Sequence, residues 1–154
     1  ISFTIVTFIP GIFSIKNIKN ILIKYANGYN LYVWANKNLP NNSVVLTTHR
    51  SYLFSENLFI SYDFRFYVRT QEGLNHYLDL LIKKKPTHIL YNDLDRNLKH
   101  DFLKNCRGKL VAKGKNVHTK NPRNPFNKNK VSYDGYIYEI NLDNLKKCKK
   151  VKVF

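Results

Sequence analysis

The stretch SVVLTTHRSYLFSENLFISYDFRFYVRTQEGLNHYLDLLIKKKPTHILY, residues 43–91, decides the fold. Its first six residues, Ser43–Thr48, are a short apolar run that follows a turn signal at Pro40-Asn41-Asn42, which reads as a buried strand. Residues 58–68 alternate: Phe64, Phe66 and Val68 point one way, Asp63, Arg65 and Tyr67 the other, as in a half-exposed strand. Leu74, Tyr77, Leu78, Leu81 and Ile82 then recur at helical spacing and stop before Pro86. Thr87–Tyr91 is another short strand. Strand, helix and strand in this order argue for an α/β sheet.

Downstream, Leu94, Leu98, Phe102 and Leu103 mark a further helix, with Gly108 placed to end it. Strands are expected at Lys109–Val117 and Val131–Asn141, followed by a lysine-rich turn and a final VKVF strand. No internal repeat is visible. The expected fold is α/β, a mixed sheet of about five strands with helices packed on it. It is preceded by the end of a transmembrane helix and an amphipathic helix.

Those two preceding segments come from residues 1–40. Residues 1–15 (ISFTIVTFIPGIFSI) carry no charge. A bilayer-spanning helix needs about 20 apolar residues, so this run reads as the last turns of a membrane helix. A buried strand and a signal-peptide core are the competing readings. In a signal peptide basic residues precede the apolar core, whereas here Lys16 and Lys19 follow it. From Lys16 to Asn38 the spacing of Ile18, Ile21, Leu22, Tyr25, Tyr29, Tyr32 and Val33 predicts one amphipathic helix. Gly28 weakens it by about 1 kcal/mol without stopping it, and Pro40 ends it. The division is therefore 1–15 membrane-helix end, 16–40 juxtamembrane helix, and 41–154 soluble α/β domain. With Ile1 first and no methionine in 154 residues, the chain is expected to be a piece of a longer one.

Composition bounds the function. The 44% apolar fraction excludes wholesale disorder. Lys plus Arg is 26 against 10 Asp plus Glu, a formal net charge of +16, which invites a polyanion partner. Yet 20 of those 26 are Lys and the chain also carries 20 Asn. A/T-rich codons specify both, so base composition sets much of the charge. The basic residues cluster from Lys104 to Lys130, a stretch without an acid, and again at 146–152. Residues 119–130, with two prolines, read as a long solvated loop. The two cysteines, Cys106 and Cys148, are too few and too far apart for a zinc site. They form one disulfide in an oxidising compartment or remain two thiols in a reducing one.

Candidate chemistry is sparse. None of the five histidines stands in a metal-binding spacing, and no glycine-rich phosphate loop or nucleophile elbow occurs. His49-Arg50, just past the strand Ser43–Thr48, is the best pair, because strand exits in α/β sheets often hold ligands and a guanidinium can hold a phosphate. Asp93 and Asp95 follow the next strand, where a helix cap is the simpler role than a divalent-cation site. No cofactor or metal is expected in this stretch, and no catalytic residue is assigned.

An apolar span, a helix ending in W-x-N-x-N-L-P (Trp34, Asn36, Asn38, Leu39, Pro40), the VVLTTHRS segment, a helix ending in Lys-Pro and a T-H-I-L strand come in a recognisable order. Up to about Tyr91, the chain resembles the soluble C-terminal domain of multi-pass membrane glycosyltransferases of the GT-C type, which use lipid-linked sugars. The resemblance implies a non-catalytic accessory domain on the extracytoplasmic face. Its partners would be the membrane and, through the parent protein, the lipid-linked sugar or acceptor. The catalytic acid of that class lies in an early extracytoplasmic loop of the membrane part, so none carries over here; His49 and Arg50 become tentative phosphate contacts. The positive-inside rule counts short loops rather than long domains, so the charge of the domain does not oppose this; Lys16 and Lys19 do. Two alternatives stand beside it. One is a basic nucleic-acid-binding module using exposed tyrosines as stacking platforms; the other is a membrane-anchored interaction domain.

Overall fold

The computed structural model describes residues 17–23, 26–47, 57–61, 70–92, 107–120 and 131–149. In chain order these hold helix α1 (residues 17–23), α2 (Tyr29–Asn38), strands β1 (Val44–Thr47) and β2 (Leu58–Ser61), and α3 (Gln71–Lys84). Strands β3 (His88–Asn92), β4 (Leu110–Lys120) and β5 (Val131–Glu139) and helix α4 (Leu142–Lys149) follow. The strands form one sheet in the order β2-β1-β3-β5-β4. β1 runs parallel to β2 and β3, while β5 is antiparallel to both β3 and β4. The fold is thus α/β with a mixed sheet, as the strand–helix–strand order requires.

Period-two alternation divides the core between the two faces of the sheet. Val45, Leu90 and Ile137 pack with Leu31, Tyr32 and Ala35 of α2. Their neighbours Leu46, Ile89, Tyr91, Tyr136 and Tyr138 pack with Leu74, Tyr77, Leu78 and Leu81 of α3 and with Leu145 and Cys148 of α4. Helices therefore cover both faces. Thr87 pins the start of the parallel pair: its N–H donates to the Val44 carbonyl at 2.8 Å, and its Oγ1 accepts from the Val44 N–H at 3.0 Å.

The long amphipathic helix expected over 16–38 is instead two helices. Gly28 takes φ 77° and stands as the N-cap of α2, a left-handed conformation that ends helical geometry rather than weakening it. The buried face shifts with the break. Ile18 and Ile21 of α1 are 53% and 45% exposed, whereas Leu31, Tyr32 and Ala35 are buried. The cause is the seat beneath α2: Gly114 and Gly135 lie opposite each other in the β4–β5 ladder. A Cβ on Gly114 would stand 2.5 Å from Trp34 Cε2, and one on Gly135 would stand 2.6 Å from Val117 Cγ2 and 2.8 Å from Leu31 Cδ1. The two glycines open the hollow that the Trp34 ring fills.

α3 begins as expected, capped by Thr70, whose Oγ1 accepts from the Gly73 N–H at 3.1 Å; such a cap contributes about 1 kcal/mol. It ends at Lys85 in the left-handed region, φ 49°, immediately before Pro86. The lysine-rich segment expected as a turn after residue 141 is helix α4. Asn141 and Asn144 cap each other's N–H groups at 2.9 and 3.2 Å, and Leu145 and Cys148, three apart, face α3. Charge masks this helix in the sequence, because its lysines fall on the solvent side. Cys148 is in a disulfide; the chain has one other cysteine, Cys106, which lies outside the described residues. Also outside them are residues 1–15, the expected helix around Leu94–Leu103, the 121–130 part of the expected loop, and the VKVF end. Among the described residues no helix is long and apolar enough to cross a membrane.

Candidate functional site

β1 is the middle strand of the parallel trio, so its carboxyl end opens between those of β2 and β3. It ends at Thr47, which puts His49 and Arg50 two and three residues beyond; both lie outside the described residues, as do Asp93 and Asp95. Within them, this end of the sheet holds two fully buried polar side chains, Thr47 and Asn92. Burying such groups is costly unless they are hydrogen-bonded, and both have partners. They make a neutral, ordered floor at the position where open α/β sheets bind ligands. They do not supply charge.

Charge enters on the α3/α4 face of the sheet, at a residue the sequence reading passed over. Tyr136 and Tyr138 stack on β5 with centroids 6.5 Å apart and planes 19° apart, and Tyr91 of β3 meets Tyr138 edge-on at 6.0 Å. Over this aromatic group lies the guanidinium of Arg107, 4.1 Å from the Tyr138 centroid and 5.7 Å from that of Tyr91. Main-chain bonds hold the approach to β4 in place. The Gly108 N–H donates to the Glu139 carbonyl at 2.8 Å, and the Glu139 N–H donates to the Lys109 carbonyl at 2.9 Å. Arg107 Nη1 is buried and has no hydrogen-bond partner. Lys113 stands 5.5 Å from the Tyr136 centroid and pairs with Asp134 at 3.6 Å. Asp134 also accepts from the Asn116 N–H at 2.9 Å, which fixes the irregular stretch of β4 where the register shifts. A signal for Arg107 did exist: in a chain that uses Lys for 20 of 26 basic positions, each Arg is a candidate for a role that Lys cannot fill.

The histidines give no metal centre. Among the described residues no group of three or more His, Cys, Asp or Glu could hold an ion. His76 is exposed on α3 and His118 is buried in β4 beside the Tyr133 ring, 5.9 Å away. His88 is half-buried, with Nδ1 2.9 Å from Thr87 Oγ1. Burial lowers its pKa from the ordinary value, and the Glu139 charge partly opposes that shift.

Among the described residues most tyrosines are interior. Tyr32, Tyr77, Tyr91, Tyr136 and Tyr138 are all buried, and Tyr29 and Tyr133 are half-buried. Bases could not stack on the buried rings without unfolding the sheet.

Comparison with known proteins adds one result. No curated protein and no solved structure matches the chain. Residues 23–153, from the last residue of α1 through the end of α4, match the family described as the DUF1420 C-terminal domain. The α/β fold with its Trp34 seat and its Arg107–tyrosine group is thus that of a member, and the chain belongs to the DUF1420 C-terminal domain family.

Proposed function

We propose that this is a non-catalytic accessory domain, on the extracytoplasmic face, of a multi-pass membrane glycosyltransferase that takes its sugar from a lipid-linked donor. The observation that carries the location is the oxidised Cys148, since disulfides persist outside the reducing cytosol. Membrane attachment draws on the uncharged residues 1–15 and on α1, whose Ile18, Ile21 and Ile23 face outward beside Lys19. Apolar side chains with flanking lysines suit a bilayer interface. The enzyme class rests on the resemblance that runs from the apolar start to about Tyr91. In this reading His49 and Arg50, which follow β1 in the chain, are the tentative contacts to the phosphate of the lipid donor.

Two measurements on the parent test this. Alkaline phosphatase fused after Phe154 should be active in cells and green fluorescent protein fused there should be dark; the reverse pattern removes the extracytoplasmic location. Sequencing upstream of the Ile1 codon should show several apolar spans, with an acidic residue in the first extracytoplasmic loop. A soluble preceding domain removes the enzyme reading.

A further inference from the structure

We infer that Arg107 is the anchor of a phosphate-binding site on the α3/α4 face of the sheet. A buried N–H donor without an acceptor costs about 1–3 kcal/mol, and Arg107 Nη1 is in that state. No ion pair to Arg107 occurs among the described residues; the acid nearest in the ladder is Glu139, whose main chain bonds to Gly108 and Lys109, and Asp134 is engaged with Lys113 and the Asn116 N–H. The tyrosine faces hold the guanidinium through cation–π contact, 4.1 and 5.7 Å from their centroids, and use none of its N–H donors. Arg107 as a whole is only partly buried, so an anion reaches the group from the solvent side and draws the buried Nη1 toward it.

Phosphate is the class that fits. A guanidinium fork matches phosphate and carboxylate oxygens in pairs, which a lysine ammonium does not. Along the chain Lys104 to Lys130 contains nine Lys and Arg and no acid, against the single Glu139 across the ladder, a balance that favours a doubly charged group over a single carboxylate. The site stands on this geometry and does not depend on the glycosyltransferase reading. The phosphate can come from a lipid headgroup or from solution.

The test follows the Arg107 Nε–Hε signal of the full isotope-labelled chain while inorganic phosphate is added at constant ionic strength, with acetate as the second titrant. The expected result is a saturable shift with phosphate that acetate does not reproduce. Arg107→Met should weaken phosphate binding at least tenfold, whereas Lys37→Met, on α2 across the sheet, should change it less than twofold. Arg107→Lys, which keeps the cation and the fold, should weaken it severalfold. An unmoved Arg107 signal, an equal response to acetate, or equal losses in Arg107→Met and Lys37→Met overturns the site. Should Arg107→Met fail to fold, the signal in the unaltered chain and the Arg107→Lys variant decide. Vesicles with and without phosphatidic acid separate the sources: Arg107-dependent binding to the acidic vesicles marks a headgroup, and Arg107-dependent binding of inorganic phosphate alone marks a soluble ligand.

Discussion

Replacing Gly114 by alanine adds one methyl group where the neighbouring side chains already stand within 2.7 Å of it. Its Cβ would lie 2.5 Å from Trp34 Cε2, 2.7 Å from Trp34 Nε1 and 2.7 Å from Val117 Cγ1. Carbon atoms do not approach that closely, so the indole, the strand or both must move. Gly114 does not have positive φ, so the cost is steric and not one of backbone strain. Overpacking of this kind costs about 1–3 kcal/mol, and the two-sided clash places Gly114→Ala at roughly 2 kcal/mol or more. For a chain of this length that lowers Tm by roughly 4–8 °C. Trp34 is the single tryptophan, so urea unfolding followed by its fluorescence reads the change, with far-ultraviolet circular dichroism as the second probe. The decisive step is a double-mutant cycle. In a Trp34→Ala background the same glycine substitution should cost about 1 kcal/mol less, the remainder belonging to Val117. Additive effects would refute the account, because they would mean that the methyl group and the indole never meet.

Two further outcomes follow from the same structure. Reduction, or Cys148→Ser, should destabilise the domain by roughly 4 kcal/mol if the bridge runs to Cys106, since it closes a loop of about 40 residues; an unchanged melting temperature under reductant would show that the thiol is unpaired. His88 has its folded pKa below the unfolded value of about 6.5. The unfolded chain therefore binds the proton first, and stability must fall as pH drops below about 6.5 until the folded pKa is passed. His88→Gln should flatten that part of the stability–pH curve, and an unaltered slope would assign it to another group.

The parts of the fold that were legible in the sequence are those where one physical signal acted alone. The α3 pattern of Leu74, Tyr77, Leu78 and Leu81 before Pro86 gave its helix to within a few residues, because spacing and stop agree. β1, β3 and β5 were legible for the same reason: short apolar runs ended by turn residues. The helix break at Gly28 was not, since a glycine in an otherwise periodic segment can be tolerated or can turn the chain, and the choice depends on where α2 must sit. That position is set by Gly114 and Gly135, some 80 to 100 residues away, and spacing within a segment holds no trace of it. α4 was hidden by its lysines, although the Asn141–Asn144 pair and the Leu145–Cys148 interval were present to be read. The site divides in the same way. His49 and Arg50 were singled out from the end of β1, a local signal, and lie outside the described residues. Arg107 acquires its setting only when β5 brings Tyr138 beneath it, a long-range event.

The position of β5 has a consequence for how the chain is made. It is the last strand in sequence among those described, yet it lies inside the sheet, between β3 and β4. Until residues 131–139 leave the ribosome, β3 has an open edge and neither half of the core can close, so the domain cannot mature from its N-terminal end as synthesis proceeds. An open edge invites pairing with other chains, which makes the nascent domain dependent on a chaperone or on prompt completion. For a domain that is threaded through a membrane pore, the same delay is useful: the chain stays extended and passable until its final segment arrives, and then folds on the far side.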